Sequence, residues 1–136
     1  MKTLAELTID LKRLEKGVNK TFDELPKLLG IAVVNDMRSN FTNQSTTTDA
    51  GSEKWVPSAA AMREGRKTLI KTGKLMNNIS YNAGQRFVIV GIDTSAVKYG
   101  VYHNEGMPPQ IKRQFITLRK STVDRVIRET LERNVR

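Results

Sequence analysis

The first part of the chain carries an apolar stripe with helical spacing. Four leucines recur at alternating steps of three and four residues and lead to Val18, while charged residues fill the other faces: Leu4, Leu7, Leu11 and Leu14. This spacing predicts a helix with one narrow apolar stripe. Such a stripe can dock on a sheet within the assembled protein, or it can pair with another subunit as a coiled-coil seam. The sequence leaves both alternatives open.

A second helix is predicted over residues 26–40. Gly17 and Asn19 weaken the first pattern at its end. Pro26 suits the first turn of a new helix, because the N–H that proline lacks would be unpaired there. An apolar row with helical spacing then follows: Leu29, Val33, Met37 and Phe41.

Residues 42–58, TNQSTTTDAGSEKWVPS, are predicted to be an irregular loop in which only Trp55 and Val56 are large and apolar. A loop of this length in a small domain is usually functional or disordered. Trp55 has two interpretations. Its indole packs back onto its own domain, or it anchors an interface, a role that tryptophan often fills.

Residues 59–78 combine apolar residues with a series of cations, and Gly65 and Gly73 interrupt them. We expect a short helix at about residues 74–78, with Thr72 able to cap its start. The preceding residues are predicted to be an arm. Together with the loop, they define residues 42–74 as an extended loop and basic arm that serves assembly.

The sheet is predicted from two apolar segments, ISYNA and RFVIVGI, which form a β-hairpin with a turn near Gly84 and Gln85. The second strand is apolar on both faces and is therefore expected to be central. Residues 97–102 fit neither period well and are expected to be a third strand or a single helical turn, and residues 114–118 are a short strand candidate.

The last helix is predicted to begin at Ser121, with Asp124 three positions later, and to place four apolar residues on one face: Val123, Val126, Ile127 and Leu131. The predicted fold class is therefore α+β. We expect a single domain over residues 1–136, in which a small, mostly antiparallel sheet of three or four strands is packed by the N- and C-terminal helices.

Composition removes several classes of chemistry. The 136 residues include no cysteine, which excludes a disulfide framework, a cysteine zinc site and a catalytic cysteine. Charged residues recur every few positions at the N-terminus, so we expect neither a signal peptide nor a membrane span there. A reduced cytoplasm is the expected compartment.

The net charge of +9 is unevenly placed. Residues 1–53 contain 7 Lys and Arg against 8 Asp and Glu, whereas residues 54–136 contain 16 against 6. A positive field attracts any polyanion without identifying it. Aromatic residues make up only 6% of the chain and do not alternate with basic ones, which argues against stacking on bases. Nonspecific contact with phosphates stays open.

No catalytic, cofactor or metal site is predicted. His103 is the only histidine, and no nucleophile elbow, glycine-rich phosphate loop or pair of metal carboxylates accompanies it. We expect His103 to bridge a tight loop to the sheet by hydrogen bonds. Gly106 would supply a backbone conformation that other residues avoid.

The order of these features resembles the phage virion morphogenesis family, the Mu-like tail completion or head-to-tail joining proteins. The segment LIKTGKLMNNI, a VGI strand and HNEG carry the resemblance, which covers about residues 41–118. The matching residues are Phe41, Gly51, Trp55, Arg63, Leu69, Ile70, Thr72, Gly73, Leu75, Ile79, Val90, Gly91, Tyr99, His103, Gly106, Arg113 and Phe115.

The resemblance implies a structural virion protein without enzymatic activity or cofactor. It would form a ring of six or twelve copies at the neck of a tailed phage or prophage, complete the tail and join it to the head. Its partners would be further copies of itself, the portal or head-completion proteins, and the tail-tube or tail-terminator proteins. It would reside in the virion, and in the host cytoplasm during assembly.

Within that reading, residues 42–74 are expected to reach a neighbouring subunit, with Trp55 as an apolar anchor and four cations pairing with acidic surfaces: Arg63, Arg66, Lys67 and Lys71. Gly73, His103, Gly106 and Phe115 are expected to be structural. Deleting residues 43–58 would then abolish assembly and leave a folded monomer. The alternative function is a nonspecific nucleic-acid-binding module that uses the basic C-terminal half, including contact with passing DNA.

Overall fold

The computed structural model describes residues 4–70, 73–92, 104–106 and 112–135, with side chains from residue 12 onward. Its elements confirm the α+β class. In chain order they are α1 (Leu4–Asn43), β1 (Ser45–Thr48), β2 (Gly51–Lys54), α2 (Ala59–Glu64), α3 (Lys74–Asn77), β3 (Ile79–Gly84), β4 (Phe87–Ile92) and α4 (Lys120–Val135). The described strands form two separate antiparallel pairs, β1–β2 and β3–β4, rather than one sheet of three or four strands.

The two predicted N-terminal helices are one helix of 40 residues, with Pro26 inside it. Packing on both sides of the proline explains why the helix continues. Before it, the backbone carbonyl of Asn134 in α4 lies so close to Gly17 that any side chain there would clash. After it, the ring of Tyr81 in β3 lies against Gly30, where an added Cβ would be 2.5 Å from the ring. The prediction that a new helix begins at Pro26 was wrong. Gly17 and Gly30 have no side chains, so α4 and β3 can pack closely against one continuous helix.

The C-terminal helix α4 runs antiparallel to α1. Near its start the Thr122 hydroxyl donates to Asp36 at 2.5 Å, and near its end Arg133 donates to Glu24 at 2.8 Å. The predicted apolar face is only partly correct, because the buried residues are Thr122, Val126 and Thr130. Ile127 and Leu131 are instead exposed.

The helix α4 is capped from another element. The Ser121 hydroxyl and its backbone N–H donate to the carboxylate of Asp49, which lies in the turn between β1 and β2. This bond lowers the pKa of Asp49, chiefly through the Ser121 hydroxyl. A negative charge at a helix N-terminus is favourable. The predicted pairing of Ser121 with Asp124 is thus replaced by a long-range cap.

Residues 45–54 form a β-hairpin where the sequence predicted irregular structure. Ser45 pairs with Lys54 and Thr48 with Gly51, and the Trp55 N–H donates to the Gln44 carbonyl at 2.8 Å to close the open end. The three threonines of β1 are β-branched and favour an extended backbone. The loop prediction was wrong because this propensity outweighs the polarity of the segment.

The hairpin of β3 and β4 is confirmed, with its turn at Gln85 and Arg86. The expectation that β4 is central stays a prediction, because the segment predicted as a third strand, 97–102, lies outside the described residues. Among the described residues β4 pairs only with β3, and Phe87 and Ile89 on its outer face are 56% and 65% exposed. The alternate residues Val90 and Ile92 pack on the core instead.

Residues 112–119 are coil, so the strand predicted at 114–118 is absent from the described segment. Several of its backbone N–H and carbonyl groups form hydrogen bonds with side chains instead of with a neighbouring strand. The Asn104 Oδ1 accepts hydrogen bonds from the N–H groups of Phe115 and Ile116 at 3.0 and 2.9 Å, and the Thr46 hydroxyl donates to the Gln114 carbonyl at 2.6 Å. The region predicted as a third strand, 97–102, lies outside the described residues.

Three aromatic rings form the centre of the core. The rings of Phe41 and Trp55 meet edge to face with centroids 5.4 Å apart, and those of Phe41 and Phe115 are 5.0 Å apart. Such pairs add stability beyond the area that they bury. The other buried members of the cluster are Val33, Val34, Met37, Leu75 and Ile79.

Candidate assembly surface

Trp55 belongs to the core. Its side chain is buried, and its indole N–H donates to the Thr46 hydroxyl at 3.0 Å. The strand β2 ends one residue earlier and directs the ring back onto Phe41. Of the two interpretations, packing on its own domain is the one observed, and the role of interface anchor stays a prediction. Residues 43–58 include Trp55 of the core, so deleting them would remove core packing as well as the predicted assembly element.

The predicted arm contains a short helix, α2. The Ser58 hydroxyl accepts a hydrogen bond from the Ala61 N–H at 3.1 Å, which caps the first turn. Gly65 ends the helix with a φ of 64°, the left-handed conformation that glycine adopts most easily. Serine before an alanine run and glycine after it were the signals that could have predicted this helix.

The four cations predicted to bind a partner have different environments. Arg63 is exposed in the last turn of α2. Arg66 forms an ion pair with Glu64, and the ammonium group of Lys67 donates to the Thr42 carbonyl at 2.8 Å. Lys71 lies outside the described residues. Arg66 and Lys67 thus tie the segment to its own chain.

The residues predicted to be structural are found in such roles where the structure describes them. Gly73 has a φ of 72° and is the N-cap of α3, the position predicted for Thr72, which lies outside the described residues. Gly106 has a φ of 68° and packs against Lys112. Phe115 is fully buried. His103 lies outside the described residues.

Two further arginines of the basic half, Arg113 and Arg119, are buried or partly buried. No periodicity or motif in the sequence predicted this. Arg113 is buried, and its Nε donates to the Val56 carbonyl at 2.8 Å. Burial lowers the pKa of Arg113. Arg119 lies 3.5 Å from the Asp36 carboxylate and donates to the Thr47 carbonyl at 3.3 Å. Arg113 thus holds the C-terminal segment to the residues that follow β2, and Arg119 holds it to α1 and β1.

A shallow groove of about 260 Å³ lies between α1 and β3. Its walls combine apolar and polar residues but no acid: Ile31, Val34, Asn35, Arg38, Ser80 and Tyr81. The Nη2 of Arg38 donates to the Ile79 carbonyl at 3.0 Å, whereas its Nε is buried without a hydrogen-bond partner in the described structure. A buried donor without a partner costs about 1–3 kcal/mol. We call this cavity the Arg38 groove.

The N-terminal part of α1 extends past the end of α4. The last residues of α4, Asn134 and Val135, lie against Gly17. Residues 12–16, which span more than one full helical turn, are all exposed. At a rise of 1.5 Å per residue, the 13 helical residues before Gly17 extend about 20 Å. We call residues 4–16 the projecting helix.

No described helix is long and apolar enough to cross a membrane. The described residues also contain no group of three His, Asp or Glu side chains that could hold a metal ion. The chain matches no family model, no curated protein and no solved structure.

Proposed function

We propose that this chain is a structural virion protein of a tailed phage or prophage, which forms a ring at the neck, completes the tail and joins it to the head. The resemblance of residues 41–118 to the phage virion morphogenesis family suggests this role. The residues of that resemblance include the core aromatics Phe41, Trp55 and Phe115 and the positive-φ glycines Gly73 and Gly106.

The projecting helix is the observation that supports assembly most strongly. Isolated helices shorter than about 12–15 residues are only marginally stable in water. Residues 12–16 of this helix are all exposed, and Leu14 is 45% exposed. The leucine stripe of the sequence continues from there to Leu4. Burial of Leu14 against a second protein surface would stabilise this end of the helix.

A second exposed apolar surface is consistent with contacts of more than one kind. Phe87 and Ile89 project from the outer face of β4, on a different element from the projecting helix. In a ring, one patch meets a different patch on the next copy until the rotation closes. Two unlike apolar surfaces on one chain fit that arrangement better than they fit a monomer.

The alternative, a nonspecific nucleic-acid-binding module, draws less support from the geometry. Several cations of the basic half already bond within the chain: Arg66, Lys67, Arg113, Arg119 and Arg133. Cations held in this way contribute less to the release of counterions that drives binding to phosphates. Other cations of the basic half are exposed, among them Lys54, Arg63, Lys112, Lys120 and Arg128, and these could meet an acidic protein surface.

Imaging of particles tests this function. The gene would be removed from a phage or prophage that encodes the chain, and the lysate would be examined by electron microscopy. We expect separate heads and tails, joined again when the full-length chain is supplied in trans. Localisation of the tagged chain to the neck would support the role directly. Normal joined particles in the absence of the chain would contradict it.

A further inference from the structure

We propose that two copies of this chain pair through the outward faces of α4, related by a two-fold axis. The contact is carried by four charged side chains of alternating sign, which we call the charged row: Lys120, Asp124, Arg128 and Glu132. A two-fold contact uses the same surface on both copies. This inference therefore goes beyond the proposed ring and does not depend on it.

The charged row lies on the side of α4 that faces away from the rest of the fold. The buried residues of α4 also recur every four positions, at Thr122, Val126 and Thr130. A row displaced by two residues lies about 200° around the helix. All four members of the charged row are exposed, so a second protein can reach each of them.

The charges of this row have no ionic partner within the described part of the chain. Other charges of α4 have one, since Arg125 lies 3.7 Å from Glu129, and Arg133 lies 2.8 Å from Glu24. No ion pair among the described residues includes a member of the charged row. This is so although each member stands four residues from an opposite charge. The row can therefore pair with charges on a second molecule.

The order of the charges is self-complementary. Along the helix the signs are plus, minus, plus and minus. A two-fold axis at the middle of the row places a second row antiparallel to the first. Lys120 then meets Glu132 of the second copy, and Asp124 meets Arg128 of the second copy. All four contacts join opposite charges, whereas a parallel arrangement in register would join like charges at every position.

The same contact agrees with the geometry of helix packing. The charged row is a ridge of residues four apart, and two such ridges interdigitate when helices cross at about 50°. Ile127 and Leu131 belong to the next ridge of α4 and are 37% and 38% exposed. In the crossed pair, each charged row also lies beside this apolar ridge of the other copy. The aliphatic stem of Arg128 can cover it.

Stabilisation of α4 alone is the competing explanation of the charged row. Opposite charges four residues apart stabilise an isolated helix slightly, and this effect needs no second copy. The two explanations differ when Asp124 and Arg128 are exchanged. The exchange keeps opposite charges across the two-fold axis, but within the helix it brings like charges together at both ends of the row.

Charge reversal in the full-length chain tests the contact, with sedimentation over a range of concentrations as the measurement. One crossing of two helices buries less than the roughly 1,200–2,000 Å² of a stable interface, so we expect a weak pairing that added salt weakens further. Arg128→Asp should weaken the pairing at least tenfold, equivalent to about 1.4 kcal/mol, because it sets two carboxylates against each other at two symmetric positions. Asp124→Arg together with Arg128→Asp should restore it.

Arg125→Asp is the matched control. Arg125 is an exposed arginine of the same helix, but its partner Glu129 lies within the chain, so the variant should leave the pairing unchanged. Circular dichroism would establish that every variant is folded. A wild-type chain that does not pair, a pairing that Arg128→Asp leaves unchanged, or an exchange variant that pairs no better than Arg128→Asp would overturn the proposal.

These measurements separate the contact from the proposed function. Pairing that the exchange restores, in a chain whose loss leaves phage particles joined, would retain the contact and remove the neck role. Unjoined particles, with an exchange that fails to restore pairing, would retain the role and remove the contact.

Discussion

The side-chain amide of Asn40 donates a hydrogen bond of 3.0 Å to the backbone carbonyl of Phe115, and both residues are fully buried. The same amide donates to the Thr117 hydroxyl at 3.0 Å, and its Oδ1 accepts from the Thr47 N–H at 3.2 Å. One side chain thus joins α1, β1 and the extended segment that leads to α4. The backbone polar groups of this segment bond to side chains of this kind, in place of the hydrogen bonds that a neighbouring strand would make.

Replacing Asn40 by leucine should destabilise the fold strongly. Asn40→Leu keeps a similar volume but removes the bonds of Asn40 to the buried Phe115 carbonyl, the buried Thr117 hydroxyl and the partly buried Thr47 N–H, and each buried group left without a partner costs about 1–3 kcal/mol. We expect the free energy of unfolding, measured by denaturant titration, to fall by about 3 kcal/mol. Asn35→Leu on the exposed side of α1 is the control and should change it by less than about 0.5 kcal/mol. Similar values for both variants would contradict the role of Asn40.

Replacing Pro26 by alanine tests the continuity of α1. A proline inside a helix costs about 3 kcal/mol relative to alanine, because it lacks the N–H and its ring clashes with the preceding turn. Pro26→Ala should therefore raise the melting temperature, even though Pro26 is buried and its loss removes some packing. If residues 4–25 and 26–40 were separate helices, proline would suit the first turn, and the substitution would lower the melting temperature or leave it unchanged.

Acid should weaken the attachment of α4 to α1. The hydrogen bond from Arg133, and then that from Asn134, lowers the pKa of Glu24 in the folded state. A carboxyl group with a lowered pKa stabilises the fold fully above its ordinary value of about 4. That contribution is lost as the pH falls further through the lowered pKa. The free energy of unfolding should therefore decrease below about pH 4.

A comparison with Glu24→Gln isolates this group. The variant should be less stable than the wild type at neutral pH, and the difference should shrink as the pH falls through the acid range. In an Arg133→Gln background, which lacks the main partner, Glu24→Gln should have little pH-dependent effect. A difference between Glu24→Gln and the wild type that stays constant from neutral to acid pH would show that this ion pair does not contribute.

The sequence predicted those features that depend on local periodicity. The β3–β4 hairpin and the positions of α3 and α4 follow from apolar spacing and turn residues, and all three are confirmed. Gly73 and Gly106 were expected to be structural, and both have positive φ. These features can be predicted from residues that are neighbours in the sequence.

The errors concern features that distant residues decide. Pro26 lies inside a helix because α4 and β3, far along the chain, pack on either side of it. Trp55 is buried because β1 and β2 pair and return it to Phe41. No local pattern indicates such partners. The Arg38 groove was missed for the same reason, since it forms only when β3 lies beside α1.

The mass and symmetry of the full-length chain in solution test the proposed ring most directly. Light scattering over a range of concentrations would give the mass, and negative-stain images of the same sample would give the symmetry. We predict a closed oligomer that is an integer multiple of the 15.3 kDa chain, visible as rings with rotational symmetry. A mass of one chain at every concentration, with no rings in the images, would contradict the proposal that this protein assembles with itself.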